Sequence, residues 1–433
     1  MNVPIRIGIS GLGTVGMSLV TLIEEKSKFL QERCGRVIII TAINARSRSK
    51  DRGRQLNGYQ WIDTPDKLAS RDNIDVFVEL MGGADDPAFS SVRKALNRGK
   101  HIVTANTALL AKHGVELAEI AEANGLFLNY EASVAGWIPI IKTMRESLAA
   151  NQVNRIYGIL NGTCNYILTR MENEGTSLQT CLIEAQKLGF AESDPTCDID
   201  GNDSAQKLAI LTSLAFGTAI SPDSIYLEGI RKIETEDIEA AAKLGYRIKL
   251  LSVAKRTPLG LESRVHPALL PLYSPLAKIN GVTNAVSLES DAVGHLMMSG
   301  PEAGGDATAF AVAADILDIA KSGLGYQHRP PASSLMPYKR AQMENHKGGY
   351  FIRLKVIDRP GTMASVATQM AKQGISLQSI FQKQSNQGYL DHQAALIIFI
   401  THETTEIAVK EALKAIRVDA RVLDSQMIRI EKT

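Results

Sequence analysis

Residues 5–16 read Ile5-Arg-Ile-Gly-Ile-Ser-Gly11-Leu-Gly13-Thr-Val-Gly16, and this stretch decides the fold. Ile5 to Ser10 is a short apolar run ending in glycines. Residues 14–30 then carry Val15, Leu19, Leu22 and Ile23 at helical spacing. A glycine turn between strand and helix lets the backbone approach a pyrophosphate, and the helix N-terminus stabilises its charge. The turn fits G-x-G-x-x-G in the context that gives this motif meaning. Gly11, Gly13, Thr14, Val15 and Gly16 are therefore candidate dinucleotide-binding residues.

The pattern continues downstream. Val37 to Ile43 is a continuous β-branched run, as expected of a strand buried on both faces. Asp75 to Met81, His101 to Thr104 and Leu126 to Asn129 read as further strands with helical segments between them. This alternation predicts a Rossmann-type parallel α/β sheet over residues 1–130. The second strand of an NAD site usually ends in Asp or Glu for the ribose 2′-hydroxyl. Here it ends Asn44-Ala-Arg46-Ser-Arg48-Ser-Lys50. Guanidinium groups suit an added 2′-phosphate, so the expectation is NADP ahead of NAD, with Arg46 as a contact. A solvated basic loop is the alternative.

The chain has 433 residues, enough for two to four domains with full cores. Its net charge is +2 and 45% of its residues are apolar, so bulk charge calls for neither nucleic acid nor an anionic membrane. No apolar stretch reaches the roughly 18 residues of a membrane span, and Met1 to Arg6 lead into a strand without export-signal features. Cys34, Cys164, Cys181 and Cys197 form no CxxC pair, so a reducing cytoplasm is the expected location.

Residues 131–325 predict an α+β domain, with helices at 138–150, 178–188 and 203–216 and strand-like runs at 153–160 and 250–254. Residues 326–348, with Gln-His-Arg-Pro-Pro and few apolar side chains, read as a linker. Residues 349–433 read as a separate βαββαβ unit, with a turn at Asp358-Arg-Pro-Gly361.

The densest acidic stretch holds Glu192, Asp194, Asp198, Asp200 and Asp203 with no basic residue among them. Lys207 follows Asp203 by four positions, so a helix puts both on one face. Carboxylates can grip an ammonium group, and a lysine held among them can handle a hydroxyl proton. A helix cap with a surface ion pair is the plainer alternative. A calcium loop fails, because Gly201 and Ala209 fall where an EF-hand requires other residues.

These motifs resemble those of the homoserine dehydrogenase family nearly end to end. Ile159 to Leu168 is similar to the family's "LNGTxNYIL" block. Gly189-Phe-Ala-Glu192-Ser-Asp194-Pro195, with Asp198, Gly201, Asp203 and Lys207, matches its "GxAExDPxxDxxGxDxxxK" signature. His101 to Asn106 matches "HVVTAN", and the tail resembles an ACT domain. The resemblance implies reversible, NAD(P)-dependent interconversion of aspartate semialdehyde and homoserine in threonine, methionine and isoleucine biosynthesis. It implies Lys207 as general acid/base, with Glu192, Asp198 and Asp203 binding substrate. Gly189, Thr107 and Gly304 fall on motifs near the cofactor. Glu131, Val134, Gly136 and Ile138 match a loop that holds a monovalent cation such as sodium, mainly by carbonyl oxygens. A homodimer or higher homo-oligomer and threonine feedback through the tail are further expectations. Deleting residues 345–433 should then remove inhibition and leave activity.

Three positions depart from the family pattern. Thr107 replaces the lysine after "VTAN", Trp137 stands in the "AGGIP" segment, and Glu302 interrupts "GPGAGG". Together they motivate a second reading: a degenerate homologue that binds ligand without turnover. Lys112, five residues after Thr107, is a candidate stand-in for the missing lysine.

Overall fold

The computed structural model describes residues 3–301, 304–321, 332–389 and 392–432. Glu302 and most of the expected linker's first part therefore lie outside the described residues. The first sheet contains β1 (Ile5–Ser10), β2 (Ile38–Asn44), β3 (Gln60–Trp61), β4 (Val76–Glu79), β5 (His101–Thr104) and β6 (Leu128–Asn129), in the order β3-β2-β1-β4-β5-β6. All five pairings are parallel. The order reverses beside β1, and ligands of such sheets bind at the carboxyl ends of the strands at that switch point.

β1 and β4 are apolar on both faces because helices cover both. On one side Ile7, Ile9 and Val78 pack with Leu19, Val20 and Ile23 of the Thr14–Glu25 helix. The Gly305–Lys321 helix adds Ala309, Val312 and Ile316 to the same core. On the other side Phe77 and Ile102 meet Val92, Leu109 and Leu117. The expected helix over residues 14–30 breaks at Lys26, and Ser27–Cys34 forms a second helix.

The remaining strands form one mixed sheet of 11 strands. They are β7 (Val153–Ile159), β8 (Tyr226–Leu227), β9 (Tyr246–Thr257), β10 (Gly260–Pro271), β11 (Thr283–Ser290) and β12 (Gly294–Pro301). β13 (Lys347–Ile357), β14 (Leu377–Tyr389), β15 (His392–Thr401), β16 (Thr404–Thr405) and β17 (Val422–Ile430) complete it. The spatial path is β12-β11-β7-β9-β10-β17-β13-β15-β14, with β8 on β10 and β16 on β13. With the helices Thr362–Lys372 and Glu406–Ile416, the last strands give the expected βαββαβ order.

Two expectations change here. The 138–150 helix is a short α-turn, Ile140–Lys142, followed by a π-helical turn, Thr143–Ser147. The Leu148 amide donates to the Thr143 carbonyl at 2.8 Å, the wider i→i+5 closure of a π turn. The linker reading fails over residues 332–348. Met336 bonds with Gly217 and Ala219, and Leu261 exchanges two backbone bonds with Lys339 and Ala341. The Tyr338 hydroxyl donates to Ser263 at 2.5 Å. Backbone polar groups must find partners, and this segment finds them on the unit formed by residues 131–325.

The C-terminal unit is joined to that unit by more than the chain. β17 pairs in parallel with β10, Ala268 against Arg429 and Leu269 against Ile430. Buried charge pairs cross the seam, Arg264 with Glu431 and Arg353 with Asp237 at 2.7 Å, and His346 Nδ1 lies within hydrogen-bond distance of Glu262 at 3.0 Å. Among the described residues no helix is long and apolar enough to cross a membrane.

Candidate active site

The cofactor end is built at the carboxyl edge of β1. Gly11 has φ +108, and a Cβ there would overlap the Leu80 carbonyl, so only glycine makes this turn. Gly16 lies against the Gly11 carbonyl and is equally closed. Gly13 differs: nothing lies within 4 Å of where its Cβ would be. Chain packing does not explain that glycine, whereas close approach of a phosphate does. Gly13 caps the Thr14–Glu25 helix without a side-chain cap, so Thr14 and Val15 stand in a first turn whose amides face outward. The Gly305–Lys321 helix starts beside it: a Cβ on Gly305 would sit 2.6 Å from Thr14 Cγ2. Gly304, with φ +139, therefore lies at a second helix start next to the glycine turn.

The basic loop after β2 divides by role. Arg52 donates to the carbonyls of Leu12 at 3.1 Å, Lys50 at 2.9 Å and Ser47 at 2.7 Å, which fixes the loop against the glycine turn. Arg54 is held by Glu24 and by Thr21 Oγ1. Arg48 lies over the Trp61 ring. Arg46 is exposed and makes no described hydrogen bond or ion pair. Among the described residues neither Arg46 nor Arg48 has a hydrogen-bond or ion-pair partner, and of the two only Arg48 lies against a ring.

The acidic end assembles around the starts of two helices. Asn161 caps the Gly162–Glu174 helix by accepting from the Cys164 amide at 2.8 Å. Its amide nitrogen then donates to Asp198 Oδ1 at 2.8 Å and Asp203 Oδ2 at 2.9 Å. The Asn202–Phe216 helix starts at Gly201 and carries Asp203 and Lys207. Lys207 is buried; its Nζ donates to the Leu160 carbonyl at 3.0 Å and pairs with Asp203 at 2.7 Å. Burial pushes the Asp198 carboxyl above its usual range, Asn161 pulls it back, and the neighbouring Asp203 charge pushes it up again.

The other sequence candidates fall at varying distances from this cluster. Gly189 takes φ +77 after the Leu178–Lys187 helix, and Thr163 Oγ1 holds the next carbonyl, Phe190, at 2.6 Å. Glu192 is exposed on that loop and shares none of the hydrogen bonds that join Asp198, Asp203 and Lys207. Asp194 accepts from the Thr196 amide, and Asp200 is taken by Arg231. Thr107 opens the Thr107–Ala123 helix and donates to the Ser133 carbonyl at 2.6 Å. Lys112 is an exposed partner of Asp85 at 2.6 Å, so it does not replace the missing lysine. Trp137 is 50% exposed and edge-on to Phe310, so half of its bulk faces solvent.

The loop from Glu131 to Ile138 accounts for its own carboxylate. Glu131 Oε1 and Oε2 accept the amides of Ile141 and Lys142, both at 2.8 Å, and burial raises the carboxyl to about 7. Ala135 and Gly136 are both left-handed, at φ 56 and 58. The carbonyls of Val134 and Gly136 accept no described hydrogen bond, while those of Glu131 and Ile138 accept one each. The donors that fit an ion here are backbone oxygens, a hard set suited to an alkali cation.

Two features of this region escape a sequence reading. Asn161 lies in a recognisable block, but its bridge between two distant carboxylates depends on the cap geometry. Glu79, fully buried at the end of β4, accepts from Thr104 Oγ1 at 2.6 Å and the Met81 amide at 2.7 Å. Thr104 Oγ1 in turn accepts the Asn106 amide at 3.0 Å, and Asn106 Nδ2 donates to the Gly83 carbonyl. Burial raises the Glu79 pKa, and this network stiffens the strand ends between the cofactor turn and the Thr107 helix. A glutamate inside an apolar parallel strand was its one visible signal.

Comparison with known proteins gives a consistent picture. The family model described as homoserine dehydrogenase matches residues 139–317, its NAD-binding domain matches residues 11–131, and an ACT domain matches residues 350–420. A homoserine dehydrogenase of Neisseria gonorrhoeae is 42% identical over 99% of both chains, and one of Helicobacter pylori is 38% identical over all of both. A solved homoserine dehydrogenase of Thiobacillus denitrificans superposes with a TM-score of 0.92 at 38% identity, covering 99% of this chain and 98% of that one. A hyperthermophilic archaeal homoserine dehydrogenase solved with NADPH gives 0.62 at 28% identity, over 73% of this chain and 97% of its own.

Proposed function

The chain belongs to the homoserine dehydrogenase family, and from that premise we propose how its residues divide the reaction. The reaction is the reversible, nicotinamide-dependent reduction of L-aspartate 4-semialdehyde to L-homoserine. Residues 1–130 serve the cofactor, residues 131–325 the substrate, and residues 349–433 regulation. Gly11, Gly13, Thr14, Val15, Gly16 and Gly304 would hold the cofactor phosphates, with Gly189 and Thr107 at the edge of its site. Arg46 would take a 2′-phosphate, which favours NADP; its uncommitted guanidinium supports this. The nicotinamide, when bound, supplies or takes up the hydride.

The chain's own part is charge and proton handling. Lys207 gives its proton to the aldehyde oxygen in reduction and recovers it in the reverse direction. The Leu160 carbonyl and Asp203 aim its Nζ. Asp198 and Asp203, held by Asn161, bind the substrate ammonium, and Glu192 closes on it from its exposed loop. Where the family has a lysine, Thr107 gives no charge to a developing alkoxide, so Lys207 carries that task alone. The carbonyls of Glu131, Val134, Gly136 and Ile138 would bind a monovalent cation such as sodium, and the Glu131 carboxylate would take no part. Threonine acts as effector through the ACT unit, and the enzyme is a homodimer or higher oligomer in the cytoplasm.

The observation that carries this reading is the convergence of Lys207, Asp203 and Asp198 on Asn161 and the Leu160 carbonyl. Its test is oxidation of homoserine with NADP by the parent and by Lys207→Met. Turnover by the parent, lost in the variant while NADP still binds, is the expected result. A variant that turns over like the parent removes Lys207 from the mechanism. A parent that binds NADP and homoserine without turnover restores the degenerate reading raised by Thr107, Trp137 and Glu302.

A further inference from the structure

We propose that Arg429, on the last strand of the C-terminal unit, is a positioning residue for the substrate-binding carboxylates, acting through Glu228 and Gly229. The inference rests on the substrate role of Asp198 and Asp203 proposed above.

Arg429 is fully buried where β17 pairs with β10. Its guanidinium makes a two-point contact with Glu406, both bonds at 2.7 Å. It also donates to Glu228 Oε2 at 2.7 Å and to the Tyr226 hydroxyl at 3.1 Å. Glu406 belongs to the same C-terminal unit, and a single partner would satisfy its charge. The bond to Glu228 is different in kind, because it leaves that unit and takes hold of a short segment of the catalytic one.

That segment is Tyr226 to Arg231, and it lies directly against the acidic turn. β8 pairs with β10, and the Glu228 amide donates to the Val265 carbonyl at 2.8 Å, so one side is fixed to the sheet. The other side presses backbone on backbone. A Cβ on Gly229 would overlap the Ile199 carbonyl and lie 2.6 Å from Asp200 Cα. The Ile230 amide donates to the Ile199 carbonyl at 2.9 Å, and Arg231 holds Asp200 and reaches Thr196 Oγ1 at 3.4 Å. Ile199 and Asp200 directly follow Asp198, and Gly201 then starts the helix that carries Asp203 and Lys207. Gly201 itself would place a Cβ 3.0 Å from Leu227. The route from Arg429 to Asp198 is thus a line of close contacts, buried at Arg429 and Ile199 and half-buried at Glu228, Gly229 and Asp200.

One face of this segment lines a cavity, but on the other the Gly229 backbone presses directly on Ile199 and Asp200, and two main chains in contact cannot move independently. A shift of Glu228 would move Gly229, and Gly229 would carry the Ile199–Asp200 backbone with it. The cofactor end, at the edge of the other sheet, would not be disturbed. The signature of this role is a selective loss of homoserine affinity.

The test uses the full-length enzyme and two variants that disturb different points of the route. Glu228→Gln weakens the grip of Arg429 without changing shape. Gly229→Ala leaves every charge in place and forces the two backbones apart. In each, the KM for homoserine should rise by roughly tenfold, the equivalent of about 1.4 kcal/mol of lost binding, with the KM for NADP unchanged. Arg429→Lys should give a smaller rise, because a point charge keeps part of the contact. If either first variant retains the parent's near-ultraviolet circular dichroism and its KM for homoserine, the proposal is overturned. A lowered melting temperature with unchanged KM marks a purely structural role and overturns it too. Should Glu228→Gln fail to fold, Gly229→Ala decides alone. Absence of turnover in the parent would instead defeat the assignment of substrate site, a separate result.

Discussion

Asn161 offers the most direct perturbation of the substrate site. Replacing it with Ala removes a helix cap, worth about 1 kcal/mol, and two hydrogen bonds to carboxylates, each worth roughly 1.5–3 kcal/mol. Asn161→Ser isolates the second effect, because serine still caps the helix while it is too short to bridge both acids. Asp198 and Asp203 then face each other without a shared donor. Asp198 already sits above the ordinary carboxylate range, and the Asn161 hydrogen bond is the strongest influence pulling it down. Removing that influence raises it further. At a given pH a smaller fraction is ionised, and the substrate ammonium meets less negative charge. Losing about 1.4 kcal/mol of binding is a tenfold change, so KM for homoserine should rise roughly ten- to thirty-fold. The sign of the pH dependence follows. The penalty should be largest at the acid end of the range and shrink as pH rises through the elevated pKa. Initial rates of homoserine oxidation at saturating NADP, taken from weakly acid to alkaline pH, measure both quantities. An Asn161→Ser enzyme with the parent's KM at every pH would refute the bridge as a functional element.

Arg46→Ala should raise the KM for NADP while leaving that for NAD unchanged; equal losses for both would assign Arg46 to general steering instead. Arg353→Met strands Asp237, which is fully buried, and should cost about 3–5 kcal/mol in urea unfolding. A loss under 1 kcal/mol would place Asp237 in contact with water. Acid should loosen the seam between the two units. Glu228 and Glu262 are both held at about 2 by neighbouring cations against an ordinary 4.5, so their stabilisation is complete above about pH 4.5 and disappears as pH falls through about 2. Hydrogen exchange along β10 and β17 should accelerate first across that window. Deletion of residues 345–433 should yield insoluble protein rather than an active, deregulated enzyme; a soluble, active truncation would show the seam to be dispensable.

The last of these reverses what the sequence suggested. Strand β1, the glycine turn and the helix after it were legible because each is set by residues within a few positions of one another. The same holds for the βαββαβ order of the tail, whose second helix ends at Ile416 and last strand at Ile430. What could not be read was which strands of the tail meet which strands of the body. The pairing of Leu269 with Ile430 joins positions far apart in the chain, and no local pattern encodes it. The expected linker failed for the same cause: residues 332–348 are polar and irregular, yet their backbone bonds run to Gly217, Ala219 and Leu261. Within the site, Lys207 and Asp203 were legible as an i, i+4 pair. Asn161 was not, because its role needs two carboxylates to arrive from two other helices. Trp137 misled in the opposite direction, as its place in a cleft motif says nothing of which way the ring turns.

A sheet shared by body and tail changes what regulation requires. An effector acts only through its different affinity for two states of the enzyme. If the tail hung from a flexible tether, those states would have to be two docking arrangements. Here β17 is hydrogen-bonded to β10, and the seam is lined by Arg264, Arg353 and Arg429, each almost fully buried with a carboxylate partner. Undocking would part the buried Asp237 from Arg353 and the buried Glu431 from Arg264, and breaking buried pairs costs several kcal/mol apiece, more than typical allosteric coupling of about 1–3 kcal/mol can supply. The two states must therefore differ by small shifts within a continuous sheet. Such shifts reach the substrate most directly where the tail touches the segment beside Asp198, which is at Glu228.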